Sequence, residues 1–188
     1  LIALLLAVSA NIGVSTMVSS FRVTFVSFLD QRLAPELFVR VDEEKTASAL
    51  EKYLLERELE VLPLLTVERP VVGQPAKLYG VRVGRTYRES WQFLGADPDV
   101  WDQVAKGEAV IVNEQLARRN NLWVSDEVDV APGLNLRIAA VVGDYGNPQG
   151  QVVMGELLFR KLYPNAVATS FGIRTMDTAN LRKAIQAD

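Results

Sequence analysis

Residues 1–33 read LIALLLAVSANIGVSTMVSSFRVTFVSFLDQRL, and the first charged side chain in this stretch is Arg22. An uncharged helix of about 20 residues is long enough to cross the hydrocarbon core of a bilayer, which is about 30 Å thick. Arg22 stands where such a helix would leave the bilayer, and Pro35 ends the helix because proline cannot continue its hydrogen-bond ladder. The stretch therefore predicts a transmembrane helix that continues into water as a stalk.

Five apolar side chains of this helix recur at steps of three and four residues, which places them on one side of it. They are Val14, Val18, Phe21, Phe25 and Phe28. Serine, arginine and aspartate side chains occupy the other side between residues 15 and 30. We expect the apolar side to pack against a partner and to transmit force, while packing against the chain's own sheet is the simpler alternative.

Two other interpretations fit an apolar N-terminal helix. In the first, residues 1–8 are the apolar core of a secretory signal peptide and Val8-Ser9-Ala10 is its cleavage site, which predicts a secreted soluble binding domain. In the second, the stretch is a long core helix of a soluble protein. The apolar periodicity runs unbroken past Ala10 to Leu29, which favours a membrane-spanning helix over cleavage.

Composition restricts the chemistry of the remaining residues. The chain has 188 residues, 49% of them hydrophobic and 23% charged, with a formal net charge of −3. It has no run of basic residues, so nucleic acid is not expected as a partner. It also contains no His and no Cys, which excludes imidazole bases, Ser-His-Asp triads, thiol nucleophiles, disulfides and most zinc sites.

The segments on either side of residues 85–150 read strand, helix, strand, strand, helix, strand, helix. In the second strand Pro63 indicates an irregular or edge position, and Asp177 is predicted to cap the last helix. This order is the split βαβ arrangement of ferredoxin-like sheets. We therefore expect an α+β fold in three parts, which are a stalk helix at 1–33, a ferredoxin-like lobe formed by 34–84 plus 151–188, and an inserted small α/β lobe at 85–150.

Local signals predict the elements of the inserted lobe. Asp97 is predicted to cap a helix over residues 98–105, because Pro98 suits the first helical position. Asn113 is predicted to cap the next helix. A β-hairpin is predicted over residues 127–142, around a Pro-Gly turn.

Three groups of side chains in this lobe are candidate sites. Asp97, Asp99 and Asp102 do not match a calcium-binding loop, and we expect no metal or cofactor there. Asp144 and Tyr145 lie in a Gly-rich loop, where functional residues concentrate, although an acid without a paired base more often forms a turn. Four aromatic residues are more often core residues than a binding platform, but an exposed set would contact a partner, a substrate or lipid: Trp91, Phe93, Trp101 and Trp123.

Residues 107–119, GEAVIVNEQLARR, followed by residues 122–130, resemble the periplasmic core domain of MacB-like ABC transporter permeases, in the FtsX/LolC/MacB superfamily. The resemblance departs at Ser125, where relatives usually carry Gly before the acidic residue, and this leaves the turn there open. Further motifs resemble the YbbP-like branch of long permeases: NIGV at 11–14, SFR at 20–22, DQRL at 30–33, DYG at 144–146 and YPNA at 163–166.

This resemblance implies a non-catalytic extracytoplasmic domain with a porter-type ferredoxin-like lobe, held at the periplasmic face of the inner membrane. It implies that the domain passes the ATP-driven motion of a cytoplasmic ABC ATPase, through the rest of the permease, to a lipid, lipoprotein, peptide or envelope enzyme. A second permease half or copy is the other implied partner. The chain has no Gly-rich phosphate loop with Lys, so we expect no ATP to bind to it. The rival hypotheses are the secreted binding domain and a hydrolase that uses carboxylates alone.

Overall fold

The computed structural model describes residues 2–32, 35, 37–41, 43–144, 147–175, 178, 180, 181 and 185, with side chains left out at 27–32. The predictions made above for Tyr145, for Asp177 and for the side chain of Phe28 therefore lie outside the described residues. The chain forms two compact units, residues 1–33 and residues 34–188.

The first unit is one helix, α1, which spans Ile2–Arg32. Its first 25 residues, Ile2–Val26, are long and apolar enough to cross a membrane, and none of them is buried. Two hydroxyl groups in this helix donate to the carbonyl four residues earlier, Thr16 to Ile12 and Thr24 to Ser20, each at 2.9 Å. Such bonds satisfy a hydroxyl within an apolar helix. The predicted long N-terminal helix is confirmed.

The second unit combines one mixed sheet with short helices, so the predicted α+β fold is also confirmed. The described helices are α2 Glu44–Leu55, α3 Arg85–Ser90, α4 Val100–Lys106, α5 Glu114–Arg119 and α6 Glu156–Leu162. The strands are β1 Leu37–Arg40, β2 Glu60–Val71, β3 Gln74–Val81, β4 Phe93–Ala96, β5 Ala109–Asn113, β6 Glu127–Ala131, β7 Leu134–Val142, β8 Gly150–Gly155 and β9 Ser170–Arg174.

The strands lie in the order β1-β9-β2-β3-β8-β5-β7-β4, and β6 pairs with β7 beside this path. β1 and β2 each pair antiparallel with β9, so they run parallel with β9 between them, which is a split βαβ unit around α2. Strands from residues 85–150 form one end of the sheet. They join the other end through β5 and β8, at the two pairs Ile111–Val153 and Val112–Val152. The division into an outer and an inserted lobe stays a prediction.

Apolar side chains are buried on both faces of the sheet. On one face, α2, α5 and α6 cover residues of β2 and β3, and a side chain at Gly80 would collide with Phe159 of α6. On the other face, α4 covers Val81, Ile111 and Val153. Burial of a large apolar side chain stabilises a fold by roughly 1.5–3 kcal/mol, so these two layers hold the unit together.

Pro63 lies inside β2, at a position where only one of the described neighbouring strands pairs with β2. It is opposite Phe171 of β9, and β3 begins to pair with β2 at Leu64. Because proline has no N–H to donate, it is tolerated where one side of a strand is unpaired. The predicted edge-like position is therefore confirmed within an otherwise interior strand.

The prediction that Asp97 caps a helix is wrong. α4 begins at Val100, after Asp99, and Asp97 instead pairs with Arg137 of β7. Arg137 Nη2 lies 2.6 Å from Asp97 Oδ2, although the N–H is not aligned for a hydrogen bond. The hairpin, in contrast, has the predicted bounds as β6 and β7.

The chain enters and leaves the sheet at the same end. Leu37 at the start of β1 is paired with Ile173 near the end of β9. The β2–β3 turn is at the opposite end, and both its residues have positive φ, 49° at Val72 and 71° at Gly73. Positive φ at both positions is the geometry of a type I′ hairpin turn, which rarely has a β-branched residue first.

Candidate functional site

Three of the four predicted aromatic residues lie together on one face of the sheet. Trp91 and Trp101 have ring centroids 5.4 Å apart, and Phe93 lies 5.9 Å from Trp101. Tyr87 of α3, which the sequence analysis did not single out, completes the cluster at 5.5 Å from Trp101. Trp101 is buried and the others are packed against the apolar layer under α4. Their surroundings are those of core residues.

Trp123 lies apart from this cluster and is exposed. Its side chain is 41% exposed and covers Gly95 of β4, where a Cβ atom would lie 3.2 Å from the indole Nε1. Leu94 beside it is 50% exposed. β4 is the last strand of the sheet path, so these two side chains flank a sheet edge. Trp123 is therefore the better of the four aromatic candidates for contact with another molecule.

Asp144 is buried and holds a loop in place. Asn113, at the end of β5, donates from Nδ2 to Asp144 Oδ2 at 3.2 Å and to the Gln149 carbonyl at 3.0 Å. Its Oδ1 accepts from the backbone N–H of Leu116 at 3.2 Å and of Gln151 at 2.8 Å. The predicted cap of α5 is confirmed. The same amide also ties β5 to β8, which places Asp144 in a structural network.

A cluster of charged side chains that sequence reasoning missed connects α2, the end of β3 and α6. Arg82 donates from Nε to Glu156 at 2.7 Å and from Nη2 to Glu51 at 2.6 Å. Arg160 donates to Glu156 at 2.9 Å. Burial alone would raise the pKa of Glu156, but the hydrogen bonds from Arg82 and Arg160 outweigh it and hold that pKa below its ordinary value. Glu156 and Arg160 have the i,i+4 spacing of a helix ion pair, but no local pattern marks Arg82, because its partners are far away along the chain.

Glu60 at the start of β2 performs the capping of α3. It accepts from the Thr86 backbone N–H at 3.1 Å and from the Thr86 hydroxyl at 2.9 Å. A side chain at Gly84 would collide with the Glu60 carboxylate, so this approach requires Gly there. Burial, together with the negative charge of Glu60, raises the pKa of Tyr87 well above its usual range. Tyr87 is therefore neutral and part of the packing.

Two of the three candidate acids near α4, Asp97 and Asp102, are paired with arginines. Asp97 pairs with Arg137, and Asp102 Oδ1 lies 2.6 Å from Arg88 Nη2. Among the described residues, no three acidic side chains are placed to hold a metal ion. A shallow cavity of about 570 Å³ beside α4 is lined by charged side chains and includes none of the aromatic candidates. Asp97 and Asp102 therefore serve as ion-pair partners, Asp97 largely buried and Asp102 exposed.

The apolar side of α1, which is predicted to pack against a partner, is exposed wherever its side chains are described. Val14, Val18, Phe21 and Phe25 are 62%, 60%, 66% and 43% exposed. The rings of Phe21 and Phe25 stack, with centroids 5.7 Å apart and planes 9° from parallel. This arrangement leaves an apolar surface that lipid or another helix can cover.

Solved structures with the same fold are extracytoplasmic domains of ABC transporters. The extracellular domain of the noncanonic ABC-type transporter YknZ from Gram-positive bacteria matches with a TM-score of 0.57 at 10% identity, over 79% of this chain and 86% of that one. The periplasmic region of MacB from Actinobacillus actinomycetemcomitans matches with a TM-score of 0.56 at 14% identity, over 80% and 78%. No protein-family model and no curated protein sequence matches the chain. The fold is thus that of a MacB-like extracytoplasmic domain, as the sequence resemblance predicts.

Proposed function

We propose that this chain is the extracytoplasmic domain of an ABC transporter permease, together with the transmembrane helix that precedes it. One observation carries the proposal. An apolar span, Ile2–Val26, precedes β1, which starts at Leu37, in a fold that two ABC transporter extracytoplasmic domains share. A buried core helix would have its apolar side chains covered, whereas those of this span are exposed.

The role proposed for the domain is mechanical. Asp144 is held by Asn113, and Asp97 and Asp102 are held by arginines, so these candidate acids already have structural partners. A general base needs a free carboxylate within reach of a reacting proton. This supports a non-catalytic domain that passes the motion of a cytoplasmic ABC ATPase to a lipid, lipoprotein, peptide or envelope enzyme.

The surfaces assigned to partners follow from exposure. In this proposal the apolar side of α1 packs against a second permease half or copy. It consists of Val14, Val18, Phe21 and Phe25, together with Phe28 by its spacing. Trp123 is the proposed contact for a substrate or partner, since large exposed aromatic residues often anchor interfaces. Trp91, Phe93 and Trp101 form a separate packed cluster in the same domain. The two lobes of the domain in this proposal are residues 34–84 with 151–188 and residues 85–150. The domain lies on the periplasmic face of the inner membrane.

The absence of Cys makes a direct test of sidedness possible. Gln149 is exposed, and its side chain makes none of the hydrogen bonds of the Asn113 network, so Gln149→Cys is a suitable reporter. The variant is made in the whole permease gene, with any Cys elsewhere replaced, and intact cells with a permeabilised outer membrane receive a membrane-impermeant maleimide. We expect strong labelling of a protein that stays in the membrane fraction.

Ile12→Cys is the matched control, because Ile12 lies in the middle of the apolar span and is expected to stay unlabelled until detergent is added. Labelling of Gln149→Cys only after lysis would place the domain in the cytoplasm and refute the proposal. Labelled protein found free of the membrane would instead support a secreted binding domain.

A further inference from the structure

The β6–β7 hairpin belongs to the inserted segment but shares a buried layer with the outer strands. Val128 and Val130 of β6 are buried in the same apolar cluster as Val61 and Leu65 of β2. β6 pairs with β7 outside the main strand path, so the hairpin lies over this layer and covers it. The hairpin is thus a second connection between the two ends of the sheet, besides the β5–β8 pairing.

The β5–β8 pairing is a narrow connection. It consists of two residue pairs, Ile111–Val153 and Val112–Val152, whereas β2 and β3 are paired over eight positions. A ladder this short has few hydrogen bonds to resist rotation about it. Rotation of residues 85–150 is also resisted by α4, which packs on Val81 and Val153, and by the Asn113 amide, so what holds the hairpin at its other end adds to these contacts.

A buried carbonyl at the hairpin tip holds it there. The Val130 carbonyl accepts from Arg69 Nη1 of β2 at 2.8 Å and from the Tyr163 hydroxyl, just after α6, at 3.2 Å. The β6–β7 register shifts between Asp129 and Ala131, which leaves Val130 out of the ladder and frees its carbonyl for these donors. Arg69 Nη2 also lies 3.7 Å from Asp129 Oδ1.

We propose that Arg69, Tyr163 and the Val130 carbonyl form a latch that keeps residues 85–150 from rotating about the β5–β8 pairing, so that the second unit moves as one body. Opening the latch leaves a guanidinium, a phenol and a buried carbonyl without their partners, and unpaired buried polar groups are costly. Releasing these contacts is the step by which a bound partner would allow the two ends of the sheet to move separately. The latch is a property of the fold and does not depend on which membrane protein carries it.

Thiol accessibility tests the latch in the full chain in detergent micelles. Val128→Cys places a thiol under the hairpin, and Ala47→Cys places one under α2, away from it; both positions are buried. With Arg69→Met added, we expect a thiol reagent to modify Val128→Cys roughly tenfold to a hundredfold faster. Modification of Ala47→Cys is expected to keep its rate.

Tyr163→Phe provides a milder opening, because the ring keeps its contact with Phe159 at 5.1 Å and one hydroxyl is lost. It should raise the rate at which the reagent modifies Val128→Cys severalfold. Arg118→Met, which removes an exposed arginine on α5, should leave that rate unchanged. Unchanged rates at Val128→Cys in both latch variants would overturn the proposal. Equal acceleration at Ala47→Cys would do so as well, because it would mean loss of the whole fold.

Discussion

Two polar junctions of different construction join elements of the second unit. Around Asn113, a buried amide satisfies four neighbours, two as donor and two as acceptor. Around Arg82, whose side chain is 34% exposed, a guanidinium joins Glu51 and Glu156. Water reaches the second junction but not the first. We therefore expect the neutral, buried junction to contribute more to stability than the charged, half-exposed one.

Of the substitutions compared here, replacing Asn113 should lower the free energy of unfolding most. Asn113→Ala removes the cap of α5, one hydrogen bond to Asp144 and the acceptor of the Gln151 N–H, which should cost about 3 kcal/mol in free energy of unfolding. Urea unfolding in detergent, followed by tryptophan fluorescence, measures this cost. All three tryptophans, Trp91, Trp101 and Trp123, lie in the second unit. Asn120→Ala, which removes the amide at the other end of the same helix, is the control and should cost less than about 1 kcal/mol. If the two variants lose the same free energy of unfolding, the burial of Asn113 does not increase its contribution to stability.

Acidification should weaken the Arg82 junction. The pKa of Glu156 is lowered in the folded chain, so its contribution to stability is present above its ordinary pKa of 4.5 and is lost as the pH falls through the folded value. Arg82→Met should cost about 1–2 kcal/mol at pH 7, discounted for solvent screening, and should reduce the loss of stability below pH 4.5. Unfolding curves across this range measure both effects. Arg85→Met changes a 75% exposed arginine and should keep the pH dependence. If Arg82→Met keeps the full pH dependence of the free energy of unfolding, the Arg82 junction is not the source of that dependence.

The smallest effect is expected at a third, exposed polar contact, and it should be stabilising. Ser125 has φ of 80°, which Gly adopts without strain, and its hydroxyl accepts from Arg137 at 3.2 Å. Ser125→Gly should raise the free energy of unfolding by about 0.5 kcal/mol, because relief of backbone strain exceeds an exposed hydrogen bond. Ser125→Ala keeps the strain and loses the hydroxyl, so it should not stabilise. If Ser125→Gly destabilises the fold in the same unfolding assay, the exposed contact outweighs the backbone.

Local signals in the sequence predicted the elements whose causes lie within a few residues. The hairpin follows from a Pro-Gly turn between alternating strands, and the cap by Asn113 follows from its position before a helix. Pro63 also followed from chemistry alone, because its missing N–H restricts where a strand can be paired. α3 and β4 were not predicted, since six and four residues are too few to show a period.

What the sequence left open depends on contacts between distant residues. Asp97 has the residue type and the neighbour of a helix cap, yet Arg137 on β7 attracts it more strongly than the start of α4. Asp144 was a loop acid by pattern, and its burial against Asn113 depends on how β5 and β8 meet. In the same way, no spacing rule separates Trp123 from Trp101, because their exposure is decided by which strands lie beneath them.

The pairing of Leu37 with Ile173 has a consequence for how such a domain is exchanged. Residues directly opposite in neighbouring antiparallel strands have Cα atoms about 5 Å apart. The strands by which the chain enters and leaves the sheet are therefore close together, and such a unit can be spliced into a loop of a host protein if residues 175–188, which include the buried Leu181, go with it. Recombination can therefore transplant the whole unit, residues 34–188, between host proteins.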